Sequence, residues 1–151
     1  MSWGWSPAEL APTYLIDRVK GQWSFTESCR QVVALTQRYP RATIKLIEDK
    51  ANGTAIIDAL GRQVSGIVAV EPAGGKVARA RAVQPLVEAG NVHLPNPRPY
   101  GHLISERAWV EDFLHACTVF PNAAHDDGVD AFTQLLVRWQ KPQPEYKISM
   151  F

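Results

Sequence analysis

Two short stretches hold the side chains of this sequence that could do chemistry together. "IEDKANG" carries Glu48 and Asp49, and "AAHDDGVDA" carries Asp126, Asp127 and Asp130 with His125 beside them. Hard divalent cations such as Mg2+ and Mn2+ take carboxylate and water oxygens, and need several carboxylates brought in from separate elements. A pair of such ions about 4 Å apart can activate water and stabilise the leaving oxygen in phosphodiester hydrolysis. On a helix, Asp126, Asp127 and Asp130 share one face and sit in a first turn, where the helix dipole tolerates negative charge. The alternative is plain capping, in which Asp126 or Asp127 bonds free backbone N–H groups and the rest are solvated. Along a strand Glu48 and Asp49 face opposite sides, so one of the two reaches a shared site. From the residues alone, an Mg2+ or Mn2+ site and a set of capped helices both remain open.

The elements that would position these acids alternate between strand and helix. "TYLIDRVKGQW" (13–23) mixes β-branched and aromatic residues with polar ones and predicts a strand. "SFTESCRQVVALTQRYP" predicts a helix capped by Thr26 that stops before Pro40. Residues 42–49 read as a β-rich run, "NGTAIIDALGRQV" as a helix and "GIVAVEP" as a buried strand. Residues 74–91 predict a helix entered by glycines and closed by Gly90, with Pro85 marking a kink or break. "VHLP" is a short strand, "NPRPYG" a loop, and 105–119 an amphipathic helix capped by Ser105, with Trp109 and Phe113 in the core. The acidic stretch opens a last helix ending near Trp139, which divides the chain into a domain over 1–139 and a tail over 140–151. Such alternation predicts an α/β layered fold, with functional groups where strands end and helices begin.

Composition narrows the function classes. At 151 residues the chain can bury a real core. Its net charge of +1 points to neither a nucleic-acid binder nor an acidic-ligand binder, although a basic patch can still form locally. Lys76, Arg79 and Arg81 in "GGKVARARA" are suited to DNA phosphate near a helix N-terminus, the alternative being a solvated basic face. No P-loop motif is present, because "PAGGKVAR" lacks both its spacing and its Ser/Thr, which excludes ATP hydrolysis by this chain. Cys29 and Cys117 lack metal or disulfide spacing and suit a reducing cytoplasm, and no apolar run is long enough to span a membrane.

Three stretches carry a resemblance: "LIEDKANGTAIIDAL", "VEPAGGKVARARAVQPLVEAGNVHLP" and "FPNAAHDDGVDAFTQLL". In that order they resemble the C-terminal nuclease domain of the phage terminase large subunit, and "YLIDRVKGQWSF" resembles its earlier strand-to-helix passage. The resemblance implies an RNase H-like mixed sheet flanked by helices and endonucleolytic cutting of viral DNA with two Mg2+ or Mn2+ ions. It implies double-stranded DNA as substrate, a small terminase subunit and a portal as partners, and the cytoplasm of a bacterial host as location. By the same resemblance Glu48 or Asp49 supplies the second acid of a triad and Asp127 the third, with Asp126 and Asp130 as neighbours able to join the metals.

The family's first acid lies on an early strand that precedes a segment like "WGW". Here that segment is Trp3-Gly4-Trp5, so the fold is expected to be N-terminally truncated, with self-association covering exposed sheet edges. Asp17 matches a different strand and reads as a salt-bridge partner. A catalytically inactive fragment, kept as a DNA-binding or assembly module or as a prophage relic, is the alternative function.

Overall fold

A parallel strand pair needs a crossover connection between its strands, and among the described residues two such pairs form. The computed structural model describes residues 12–50, 52–122 and 127–140. One compact unit spans Lys20–Ala73, and the other is drawn from Met1–Val19 and Gly74–Phe151.

In Lys20–Ala73, helix α1 (Phe25–Arg38) is followed by strand β2 (Lys45–Glu48), helix α2 (Asn52–Leu60) and strand β3 (Ile67–Val70). Ser24, not Thr26, caps α1: its Oγ accepts from the Glu27 N–H at 3.3 Å. Ser24 and Glu27 have the spacing of a capping box, which outranks a Thr placed one residue inside the helix. The helix stops at Tyr39, since the residue before a proline is pushed out of the α region. β2 and β3 pair in parallel, with Glu48 opposite Val70. Their last ladder bond runs from the Asp49 N–H to the Val70 carbonyl at 2.9 Å. The next would need an N–H at position 72, which is Pro72. Leu60 and Val64, both buried, close this unit's interior.

In the other unit, strand β1 (Thr13–Tyr14) pairs in parallel with β4 (Val92–His93). The strand expected over 13–23 is thus far shorter. The Leu15 N–H still reaches the His93 carbonyl at 3.0 Å, but the following bond would need a donor at Pro95. Both ladders are therefore cut by a proline on the partner strand. Among the described residues the pairing is parallel in two two-stranded sheets, where a mixed sheet was expected.

Helices α3 (Lys76–Glu88), α4 (Trp109–Val119) and α5 (Asp127–Gln140) belong to the same unit. Val83 and Leu86 of α3 meet Leu136 of α5 in a core completed by Val92, Phe132 and Val137. Pro85 does not break α3: the helix runs on for three more residues and closes at Gly90, whose φ is 75°. Pro85 and Arg81, the residue whose carbonyl loses its helix bond, are both exposed, so water can serve that oxygen. Ser105 does not cap α4. It lies in a 3-10 turn over Ser105–Arg107, and its Oγ donates to the Glu106 carboxylate at 3.0 Å. Trp109 and Phe113 do pack together, with ring centres 6.4 Å apart. Gln140 ends α5, and the tail expected beyond it lies outside the described residues. Among the described residues no helix is long and apolar enough to cross a membrane.

Gly66 turns the chain into β3 at φ 77°, with its α-carbon facing the Thr43 carbonyl so closely that a Cβ would collide with it. Gly66→Ala is expected to destabilise the chain by about 2 kcal/mol, since left-handed strain and overpacking of backbone add. Urea unfolding of the full chain measures this; a loss within about 0.5 kcal/mol would mean the turn has room to relax.

Candidate functional site

Glu48 and Asp49 stand at the C-terminal end of β2, where the ladder stops. Glu48 is half-buried and pairs at 3.7 Å with Lys50, an exposed contact that contributes little. The Asp49 carboxylate accepts from the Thr54 hydroxyl at 2.7 Å, which ties it to the first turn of α2. That turn comes unusually near the strand end: a Cβ on Gly53 would collide with the Glu48 carbonyl oxygen. Gly53 therefore lets α2 start directly behind the acid pair, and its N–H returns to the Lys50 carbonyl at 2.9 Å. The short "EDKANG" stretch holds both carboxylates through this close approach.

Asp127 is the first residue of α5 and is exposed. Asp126 and His125 lie outside the described residues. Asp130, one turn further on, is buried and meets a second candidate: Arg79 donates from Nε at 3.0 Å and from Nη2 at 2.5 Å to its Oδ1. Arg79 Nη1 donates to the Gly74 carbonyl at 2.6 Å, and Asp130 Oδ2 accepts from Gln134 at 3.2 Å. Side-chain exposures of 8% and 10% make this an internal ion pair between α3 and α5. Arg79 thus points inward rather than onto a basic face, and both carboxylate oxygens of Asp130 already have protein partners. Lys76 and Arg81, the other two cations of that stretch, are exposed on the first turn and a half of α3. The acids of β2 and those of α5 belong to different units.

A further cation stands beside the α5 start, one that nothing in the spacing of motifs indicated. The Arg18 guanidinium lies 5.7 Å from the centre of the Phe113 ring. It also lies over Gly128, where an added Cβ would strike it. Burial pushes the Cys117 thiol above its ordinary value, and the nearby Arg18 charge opposes that shift. The signal available in the sequence was the glycine of "DDGVD", a poor helix former one residue after Asp127. Asp17, next to Arg18, accepts from the Arg18 backbone N–H at 2.7 Å.

The terminase RNaseH-like domain model matches residues 11–138. The chain belongs to that family. No curated protein and no solved structure matches it significantly. The chain is thus a nuclease-type terminase domain of RNase H-like, α/β character, and its helices and parallel strands accord with that class. In this terminase domain Glu48, Asp49 and Asp127 offer carboxylate oxygens, the donor chemistry that fits a hard divalent cation. Among the described residues, no group of three or more His, Cys, Asp or Glu stands together to hold one.

Because the Arg79–Asp130 pair is buried, removing one member should cost more than removing both. Arg79→Met is expected to lose about 3 kcal/mol, while Arg79→Met with Asp130→Leu should recover most of it. Denaturant unfolding of the two variants checks this; equal losses in both would mean the charges do not compensate each other.

Proposed function

We propose that this terminase domain cuts double-stranded DNA in a reaction dependent on Mg2+ or Mn2+, with Asp127 and either Glu48 or Asp49 as essential carboxylates. The observation carrying this reading is the family match over 11–138, which takes in both acidic stretches. The local geometry supports it. Glu48 and Asp49 sit where a parallel ladder ends against the start of a helix, the place where α/β sheets gather functional groups. Asp127 is exposed at a helix start, so its carboxylate is open to solvent.

Two bound cations would neutralise charge at the scissile phosphate and make water a competent nucleophile. The chain's own part is to orient its carboxylates: Thr54 fixes Asp49 by hydrogen bond, and Gly53 keeps the strand end close to α2. The water oxygen would bond to phosphorus as one P–O bond of the phosphodiester breaks, the departing oxygen taking up a proton to become a strand-end hydroxyl and the other end keeping the phosphate, with no covalent link to the protein. Lys76 and Arg81, exposed on α3, supply positive charge for the DNA backbone. Arg79 and Asp130 serve a different purpose, holding α3 against α5 so that the helix bearing Asp127 keeps its place. A small terminase subunit, a portal, and a second copy of the chain are the partners proposed with this function.

Incubation of the full chain with plasmid DNA in Mn2+, Mg2+ or EDTA tests the reading. Cutting is expected with either ion and not in EDTA, and Asp127→Asn should lower it by at least about 100-fold while leaving the unfolding midpoint nearly unchanged. Glu48→Gln and Asp49→Asn decide between the two strand-end acids, since only one should match the Asp127→Asn loss. A folded chain that binds duplex DNA but cuts it with neither ion would overturn the nuclease assignment in favour of a DNA-binding or assembly module.

A further inference from the structure

We infer that Arg18 binds a backbone phosphate of duplex DNA next to Asp127, an inference that rests on the DNA-cutting function proposed above. Three observations within one unit converge on this side chain. Its guanidinium is placed over the Phe113 ring at 5.7 Å, an aromatic face that orients a cation without neutralising it. Phe113 is itself buried and held edge-on by Phe132, with ring centres 5.4 Å apart, so the platform is rigid. On another side the guanidinium fills the space over Gly128 that any other residue's side chain would occupy.

The third observation is electrostatic. None of the ion pairs among the described residues takes in Arg18, and its guanidinium donates no hydrogen bond to them. The contrast with Arg79 is direct, since that guanidinium uses three nitrogens on Asp130 and Gly74. Arg18 is half-buried, and a cation partly withdrawn from water with no anion bound among the described residues keeps its N–H donors available for one. A planar fork with free donors is the geometry that takes two oxygens of a phosphate at once.

Its position explains why the anion would be a phosphate brought close to Asp127. Gly128 follows Asp127 directly in α5, so Arg18 stands at the helix end that begins with this carboxylate. An exposed carboxylate repels a phosphodiester, and a fixed cation beside it offsets that repulsion. The N-terminal backbone N–H groups of α5 act in the same direction. Arg18 is thus a substrate-positioning residue, placing the DNA backbone against the helix that carries the acid.

Binding of a fluorescent 20-base-pair DNA duplex to the full chain, in EDTA and over a salt series, tests this. Loss of one phosphate contact lowers the slope of log affinity against log salt by about 0.9. Arg18→Gln and Arg18→Met should both show that decrease and bind several-fold more weakly. Arg18→Met keeps apolar contact with Phe113 and so guards against a variant that only unfolds. Arg18→Lys should keep the slope, because the charge remains. A role confined to folding would lower the unfolding midpoint of Arg18→Met and leave the slope unchanged, which would overturn the inference while the function stands. A wild-type chain that binds no duplex at all would overturn the DNA function, and this inference with it.

Discussion

One ion pair removed from water organises the larger unit. Arg79 and Asp130 lie on different helices 51 residues apart, and each would be costly to bury alone. Because the guanidinium also reaches the Gly74 carbonyl, the pair fixes three things together: the turn leading into α3, the face of α3, and the first turns of α5. The apolar residues of the two helices, Val83 and Leu86 against Leu136, follow from that register. The N-terminal end of α5, with Asp127 facing solvent, is consequently positioned by a contact one turn deeper. The chain thus uses neighbouring aspartates in opposite ways, one sealed and neutralised, the other open.

The same logic separates the two arginines that bear on α5. Arg79 is matched by a carboxylate and closes the interior. Arg18 is matched by an aromatic ring and a missing side chain, and joins none of the ion pairs among the described residues. Residue type alone predicts the reverse emphasis, because "KVARAR" looks like a basic face and "LIDRVKG" looks like a strand. Burial and partner, which depend on contacts distant in sequence, decide between them.

Where local physics governs, the sequence was readable. α2, β2 and β3 lie within the stretches that periodicity assigns, α5 ends within one residue of the expected Trp139, and Gly90 closes α3 as a glycine past the last turn should. The Glu48–Asp49 pair at a strand end was legible for the same reason. The misses are of two kinds. Ser24 rather than Thr26 caps α1, and the pairing of Ser24 with Glu27 was there to be read. The shortness of β1, the burial of Arg79 and the place of Arg18 were not, because each depends on a residue more than 50 positions away: Pro95, Asp130 and Gly128 respectively.

The prolines that end both ladders fix where each ladder stops. Hydrogen-bonded strands breathe at their ends, opening a rung and closing it again. At the end of β2 the next rung has no donor, because Pro72 stands where an N–H would have to be. Fluctuations there can unzip the ladder backwards but cannot extend it forwards. Asp49, the last residue to take part, is therefore held to the ladder by its own N–H on the Val70 carbonyl, with no further rung beyond it. The restraint that the ladder does not supply there comes from the next element, through the Thr54 hydroxyl on the Asp49 carboxylate.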